Sequence, residues 1–223
     1  MILKDLPIDT IVTDKKTKFN GKSIEWLVVD HEKYQDGTVL LSKDILCCKP
    51  FNDLKELDYI GHSVCWENSS IRNWLKTDFF YKSFSLQLRC MSIPVEISEQ
   101  EKIKDNVFLL SSSEIGYTDY HKTKTLQLFK DFKDIDRNKY TISEVCLGLK
   151  WSWWLRSPSP IPSPIGVTHY ICSVDDRGLL YGTNAYYGSI GIRPACVISD
   201  YAPIKKKENG DYKFDWLSLL KFD

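Results

Sequence analysis

The residues that could act as nucleophiles or metal ligands are scattered along this sequence. Its four histidines, His31, His62, His121 and His169, lie far apart, without the paired spacing that metal ligands show. Its seven cysteines occur at irregular intervals and include no C-x-x-C pair, a pattern typical of reduced thiols. His169 and Cys172 have the residue types of a nucleophilic dyad, but three positions along a strand place two side chains on opposite faces. We therefore predict no catalytic centre, no metal site and no cofactor.

The stretch 181–191 has instead the composition of a binding surface. It is rich in Tyr, Asn and Gly, which adapt well to partner surfaces, and tyrosine offers a large contact area at the cost of two torsion angles. The segment 157–164 contains four prolines, and its stiffness lowers the entropy cost of binding. We predict a ligand-binding surface here, although an ordinary surface loop explains the composition equally well. The predicted ligand-binding residues are Ser157, Ser159, His169, Tyr170, Tyr181, Thr183, Asn184, Tyr186 and Tyr187.

Two predicted strands must position this surface. Residues 168–174 and 179–181 are rich in apolar and β-branched side chains, and they flank an Asp-Asp-Arg-Gly turn at 175–178. The ligand-binding face is therefore expected within residues 151–199.

Arg156 and Arg193 each lie in an otherwise apolar predicted strand, over residues 151–156 and 192–199. A buried arginine needs carboxylate or carbonyl partners. We expect both side chains to tie these strands to the preceding half of the chain. Two acids are candidate partners, Glu67 and Glu114.

The preceding half combines strands with helices. Residues 23–30 and 38–42 predict two strands joined by an Asp36-Gly37 turn. Residues 67–84 predict a helix capped by Ser69 or Ser70, and residues 85–91 predict a second, shorter helix. We find no convincing linker, and we expect a single domain over residues 1–223.

Composition excludes several classes of protein. The 223 residues carry 30 Lys+Arg against 30 Asp+Glu, so no basic stripe for nucleic acid is expected. No apolar run is long enough for membrane insertion, and the first residues do not read as a signal peptide. We expect a cytoplasmic protein by default, with a phage virion or export by a non-Sec route as alternatives. The oligomeric state is left open.

Four motifs carry a resemblance to a known family. They read CWENSSIRNWL at 65–75, VFLLS at 107–111, WWLRSP at 153–158 and GIRPA at 191–195. In this order they resemble a family of unknown function from gut-type bacteria and their phages, over roughly residues 20–200. That resemblance implies an α+β, C-type-lectin-like fold, distantly related to the formylglycine-generating enzymes. Such a fold has a small twisted, mostly antiparallel sheet, N-terminal strands and two or more helices.

The resemblance also bears on function. Some family members look like variable proteins of diversity-generating retroelements, whose last strands carry a diversified ligand-binding face. Our leading hypothesis is a non-enzymatic, receptor-like protein that recognises a protein or other macromolecule. A formylglycine-generating-type oxidoreductase using Cys172 or Cys196 is the second hypothesis, although the family's active cysteine pair is not recognisable here. The third is a structural phage or prophage component with its aromatic residues in a subunit interface.

Overall fold

The computed structural model describes residues 1–53, 64–97, 103–117, 124–131, 133, 137, 142–143, 149–160 and 169–220. Its strands are β1 (Ile11–Phe19), β2 (Lys22–Tyr34), β3 (Gly37–Ser42), β4 (Cys47–Cys48), β5 (Val95–Glu96), β6 (Lys104–Asp105), β7 (Val107–Phe108), β8 (Ile142–Ser143), β9 (Leu149–Lys150), β10 (Trp153–Pro158), β11 (Tyr170–Val174), β12 (Leu180–Asn184), β13 (Gly191–Ile192), β14 (Ala195–Ser199), β15 (Ile204–Lys206) and β16 (Tyr212–Phe214). Its helices are α1 (Ser70–Trp74), a π-helical stretch (Leu75–Phe79), α2 (Phe80–Ser83) and α3 (Leu86–Cys90), with 3-10 turns at Leu3–Asp5, Gln127–Phe129 and Trp216–Leu220.

A seven-stranded sheet forms the larger layer, in the order β15-β16-β1-β2-β3-β14-β7. The β1–β16 pair is parallel and the other pairs are antiparallel. The predicted turn between β2 and β3 is confirmed, since Asp36 adopts a positive φ of 55° and the two strands pair antiparallel. Trp26, Leu27 and Val28 of β2 are fully buried, so this strand runs through the core.

A five-stranded sheet forms the second layer, in the order β12-β11-β10-β13-β4. The predicted hairpin of β11 and β12 is confirmed by their antiparallel register. The single strand predicted over 192–199 is wrong, because it is divided between β13 in this sheet and β14 in the seven-stranded sheet. Pro194 lies at the break, and proline has no N–H to give to a ladder.

The main helix runs without interruption from α1 through the π-helical stretch to α2 and spans 14 residues. Ser69 caps it by accepting a hydrogen bond from the Arg72 N–H at 3.2 Å. Leu75 and Phe79 are buried, and the Phe79 ring packs on Phe19 of β1 at 5.7 Å. Ser85 caps α3 in the same way, so both predicted helices are confirmed.

The predicted fold class is wrong. The chain is mostly β, is dominated by the two large sheets and has one long helix of 14 residues, so it is not the C-type-lectin-like α+β domain with a small sheet that the resemblance implied. The prediction missed β1, which is polar over Thr13–Lys18, and missed β15 and β16 altogether. Pairing of β1 with β16 joins distant parts of the chain, and no local pattern indicates it.

Buried arginines tie the layers together as the sequence predicted for Arg156. Its guanidinium pairs with Glu114, and Lys33 of β2 contacts the same carboxylate. Arg193 is also buried; its Nε donates to the Ser42 carbonyl at 2.8 Å, and its guanidinium lies 5.1 Å from the Trp153 ring centroid.

Among the described residues, no helix has the length and apolar character needed to span a membrane.

Candidate functional site

The hairpin of β11 and β12 is held rigid by the turn that joins its strands. The Asp175 carboxylate accepts hydrogen bonds from the N–H groups of Arg177 and Leu179, both at 2.9 Å, and from the Arg177 guanidinium. Burial opposes ionisation of Asp175, but these bonds outweigh it and hold its pKa below the usual range. Gly178 supplies the positive φ of 86° that completes the turn. The hairpin is thus a stiff support for the side chains it carries.

Three tyrosines project from this hairpin and the turn that follows it. Tyr170, Tyr181 and Tyr187 are 38 %, 63 % and 59 % exposed, respectively. Tyr170 lies opposite Asn184 in the register, whereas Tyr181 lies opposite Ser173. Directly opposed residues share a face and neighbouring residues alternate, so Tyr170 and Tyr181 lie on opposite faces of the sheet. We call Tyr170, Tyr181 and Tyr187 the tyrosine edge.

Contacts within the hairpin and its following turn hold the tyrosine edge in place, and they involve Asn184, Tyr186 and His169. The Asn184 side-chain oxygen accepts from the Tyr186 N–H at 3.0 Å, and its backbone carbonyl accepts from the Tyr187 N–H at 3.1 Å. The Tyr186 hydroxyl lies 3.3 Å from Nδ1 of His169, and the two ring centroids are 5.7 Å apart. These contacts define the conformation of the turn that presents Tyr187.

Three of the predicted ligand-binding residues are buried rather than exposed: Ser157, Ser159 and Thr183. The Ser157 hydroxyl oxygen accepts from the Ser112 N–H at 3.0 Å, and the Thr183 hydroxyl lies 2.7 Å from the Ser173 hydroxyl. These groups brace the strands beneath the tyrosine edge. The proline-rich segment 157–164 was predicted as a loop, but Pro158 belongs to β10 and pairs with Ile171; residues 161–164 lie outside the described residues.

The sequence did not indicate that β12 is an edge strand. Within the described part of the chain, β12 ends the five-stranded sheet and pairs with β11 alone. The Ala185 N–H donates to the His169 carbonyl at 2.8 Å, and bonded and non-bonded pairs alternate along an antiparallel ladder. Leu180, Gly182 and Asn184 therefore direct their N–H and C=O groups away from β11.

The two thiols considered for catalysis are buried in different sheets. Cys172 lies in β11 and Cys196 in β14. Burial raises the pKa of Cys172 to about 12 and also raises the pKa of Cys196, so both thiols stay protonated near neutral pH and are weak nucleophiles. In the ranges described above, no group of three His, Cys, Asp or Glu side chains could hold a metal ion. His62, His121 and Cys146 lie outside those ranges.

Two open depressions lie elsewhere on the surface. One, of about 550 Å³, is lined by residues that include Lys49 and Trp74, and the Lys49 ammonium lies 4.9 Å from the Trp74 ring centroid. The other, of about 580 Å³, is lined by residues that include Phe19, Glu25 and Lys43, with Lys43 and Glu25 paired at 2.6 Å. Neither depression includes a predicted ligand-binding residue.

Residues 36–200 match the sequence model of a family described as "Domain of unknown function (DUF6273)", which covers well over half of the chain. The chain belongs to the DUF6273 family. No curated protein and no solved structure matches it. The DUF6273 span includes the whole tyrosine edge, whereas β1, β2, β15 and β16 lie outside it. The family description names no activity and no ligand.

Proposed function

We propose that this DUF6273 protein is a binding protein that recognises another protein through the tyrosine edge. The observation that carries the proposal is the placement of three exposed tyrosines around one rigid hairpin. Tyr181 lies on the edge strand β12, Tyr170 on the opposite face of its neighbour β11, and Tyr187 in the turn that follows β12. Tyrosine is enriched among the few residues that dominate the free energy of protein association.

The hairpin also keeps the entropy cost of binding low. Asp175 restrains the turn between the strands, and Asn184 restrains the turn before Tyr187. Side chains that are already positioned lose less freedom when a partner binds. The strand itself, Leu180–Asn184, carries no charged residue, so pairing with this strand requires no desolvation of its own side-chain ions.

Selection with a phage-displayed library of random peptides tests this proposal. Peptides selected on the wild-type protein are synthesised, and their affinities are measured by calorimetry for the double variant Tyr181→Ser/Tyr187→Ser. The expected result is a weakening of roughly tenfold or more, since hot-spot tyrosines each contribute on the order of 1–2 kcal/mol.

The matched control is Tyr81→Ser/Tyr201→Ser. Both tyrosines are as exposed, at 60 % and 63 %, but lie on other elements. The control should bind the selected peptides like the wild type. If the two double variants bind equally well, or are weakened equally, the proposed site is wrong.

A further inference from the structure

We infer that the partner binds as an extended polypeptide strand that pairs with β12. This inference rests on the proposed function and names the partner's chemical form. Leu180 and Gly182 each direct an N–H and a C=O outward, and Asn184 adds an outward N–H. These groups are spaced as the ladder of an added strand requires, and strand addition to an exposed edge is a common mode of peptide recognition.

The other sheet edges differ from β12 in how they are protected. In the described part of the chain, β15 ends the seven-stranded sheet and carries the exposed Lys205 and Lys206. At the far end of the five-stranded sheet, β4 is two residues long and is followed by Lys49 and Pro50. Charges, prolines and short length are the usual devices against edge pairing. The seven-stranded sheet also ends at β7, which is two residues long. In the described part of the chain, β12 is a five-residue terminal strand with no charge and no proline, so it lacks these devices.

The side chains around β12 indicate what the added strand must look like. Tyr181 flanks its path on one face, and Asn184 with Tyr170 flanks it on the other. Gly182 lies on the second face with Asn184 and carries no side chain there. Because β12 is uncharged, a charged residue at the centre of the partner strand would lose water without gaining a counter-ion. The partner segment is therefore uncharged and places a large side chain next to Gly182.

Gly182→Pro tests the backbone pairing directly. Gly182 lies opposite Cys172 in a pair that is not hydrogen-bonded to β11, so proline removes an outward N–H and leaves the hairpin ladder intact. Gly182 is not among the glycines with positive φ, so its backbone does not require glycine. We expect at least tenfold weaker binding of the selected peptides. Gly182→Ala retains the N–H and is the matched control, with an expected change below about threefold.

Peptides that carry single N-methyl groups provide a measurement that leaves the protein unaltered. Methylation should weaken binding at every second peptide amide and have little effect at the amides between, because only alternate groups face the edge. If Tyr181→Ser/Tyr187→Ser weakens binding but Gly182→Pro does not and methylation shows no alternation, the tyrosine edge stands and strand addition is wrong. If neither variant weakens binding of the selected peptides, the proposed function is wrong as well. A stable dimer in light scattering that Gly182→Pro dissociates would make a second copy of this chain the occupant and overturn the inference.

Discussion

Arg156 and Glu114 form a bidentate ion pair in the interior, with Nη1 2.6 Å from Oε2 and Nη2 2.8 Å from Oε1. Both side chains are buried. Arg156 also donates to the Leu109 carbonyl at 2.6 Å, and Lys33 contacts the other side of the same carboxylate. One acid thus joins β2, β10 and the segment that follows β7.

Glu114→Gln should strongly destabilise the protein. The substitution removes the counter-charge of the buried Arg156 and of the half-buried Lys33, and breaking a buried ion pair typically costs about 3–5 kcal/mol. Urea unfolding followed by circular dichroism measures the change in the free energy of unfolding. Glu32→Gln is the control, because Glu32 pairs with Lys124 in an exposed position, and it should leave the midpoint unchanged. Equal midpoints for wild type and Glu114→Gln would contradict the expected role of the pair.

The contribution of Glu114 should depend on pH with a definite sign. Burial alone would raise the pKa of Glu114, but Arg156 and Lys33 outweigh burial and hold it well below the ordinary value of 4.5. A carboxyl group whose pKa is lower in the folded state than in the unfolded state stabilises the fold at pH values above its unfolded-state pKa. This stabilisation is lost as the pH falls from the unfolded-state pKa towards the folded-state pKa. The difference in unfolding free energy between wild type and Glu114→Gln should therefore be constant above about pH 5 and shrink below it. A difference that stays constant down to about pH 3 would contradict this prediction.

Thiol labelling should follow burial. Cys90 at the end of α3 is exposed, whereas Cys172 and Cys196 are buried. Iodoacetamide should modify Cys90 in the folded protein and reach Cys172 and Cys196 only in denaturant, as mass spectrometry of peptides would show. Alkylation of Cys172 in the folded protein as fast as that of Cys90 would mean that its thiol is accessible and would support the catalytic hypothesis.

Residues 36–200 alone should fail to fold. That span lacks β1, β2, β15 and β16, so β3 would lose its β2 neighbour and the fully buried Trp26 would be missing from the core. Thermal unfolding by circular dichroism should show a cooperative transition for the full chain and none for the shortened one. A sharp transition in the shortened chain would show that the added strands are dispensable.

The sequence predicted features that depend on near neighbours. Ser69 and Ser85 cap their helices, and Asp36 forms its turn, because each contact involves residues a few positions away. Glu114, one of the two acids proposed as partners for the buried arginines, pairs with Arg156, since a buried guanidinium has few acceptable partners. The strand orders could not be predicted, because strand pairing joins segments distant in sequence.

The same distinction applies to the candidate site. Tyrosine-rich composition indicated which residues could meet a partner, and Tyr170, Tyr181 and Tyr187 are exposed. That Thr183 is buried and that Gly182 faces an open edge depends on which strands pair. No sequence pattern within 181–191 carries that information.

The parallel pair of β1 and β16 has a consequence for synthesis on the ribosome. Until residues 212–214 emerge, β1 has one of its two neighbours, and its other side is an unpaired edge. Closing so long a loop is slow, so a nascent chain exposes this edge for a long time. The exposed Lys15, Lys16 and Lys18 lie on β1, where charges discourage pairing with other chains. These lysines would thus help to guard the unfinished chain against aggregation.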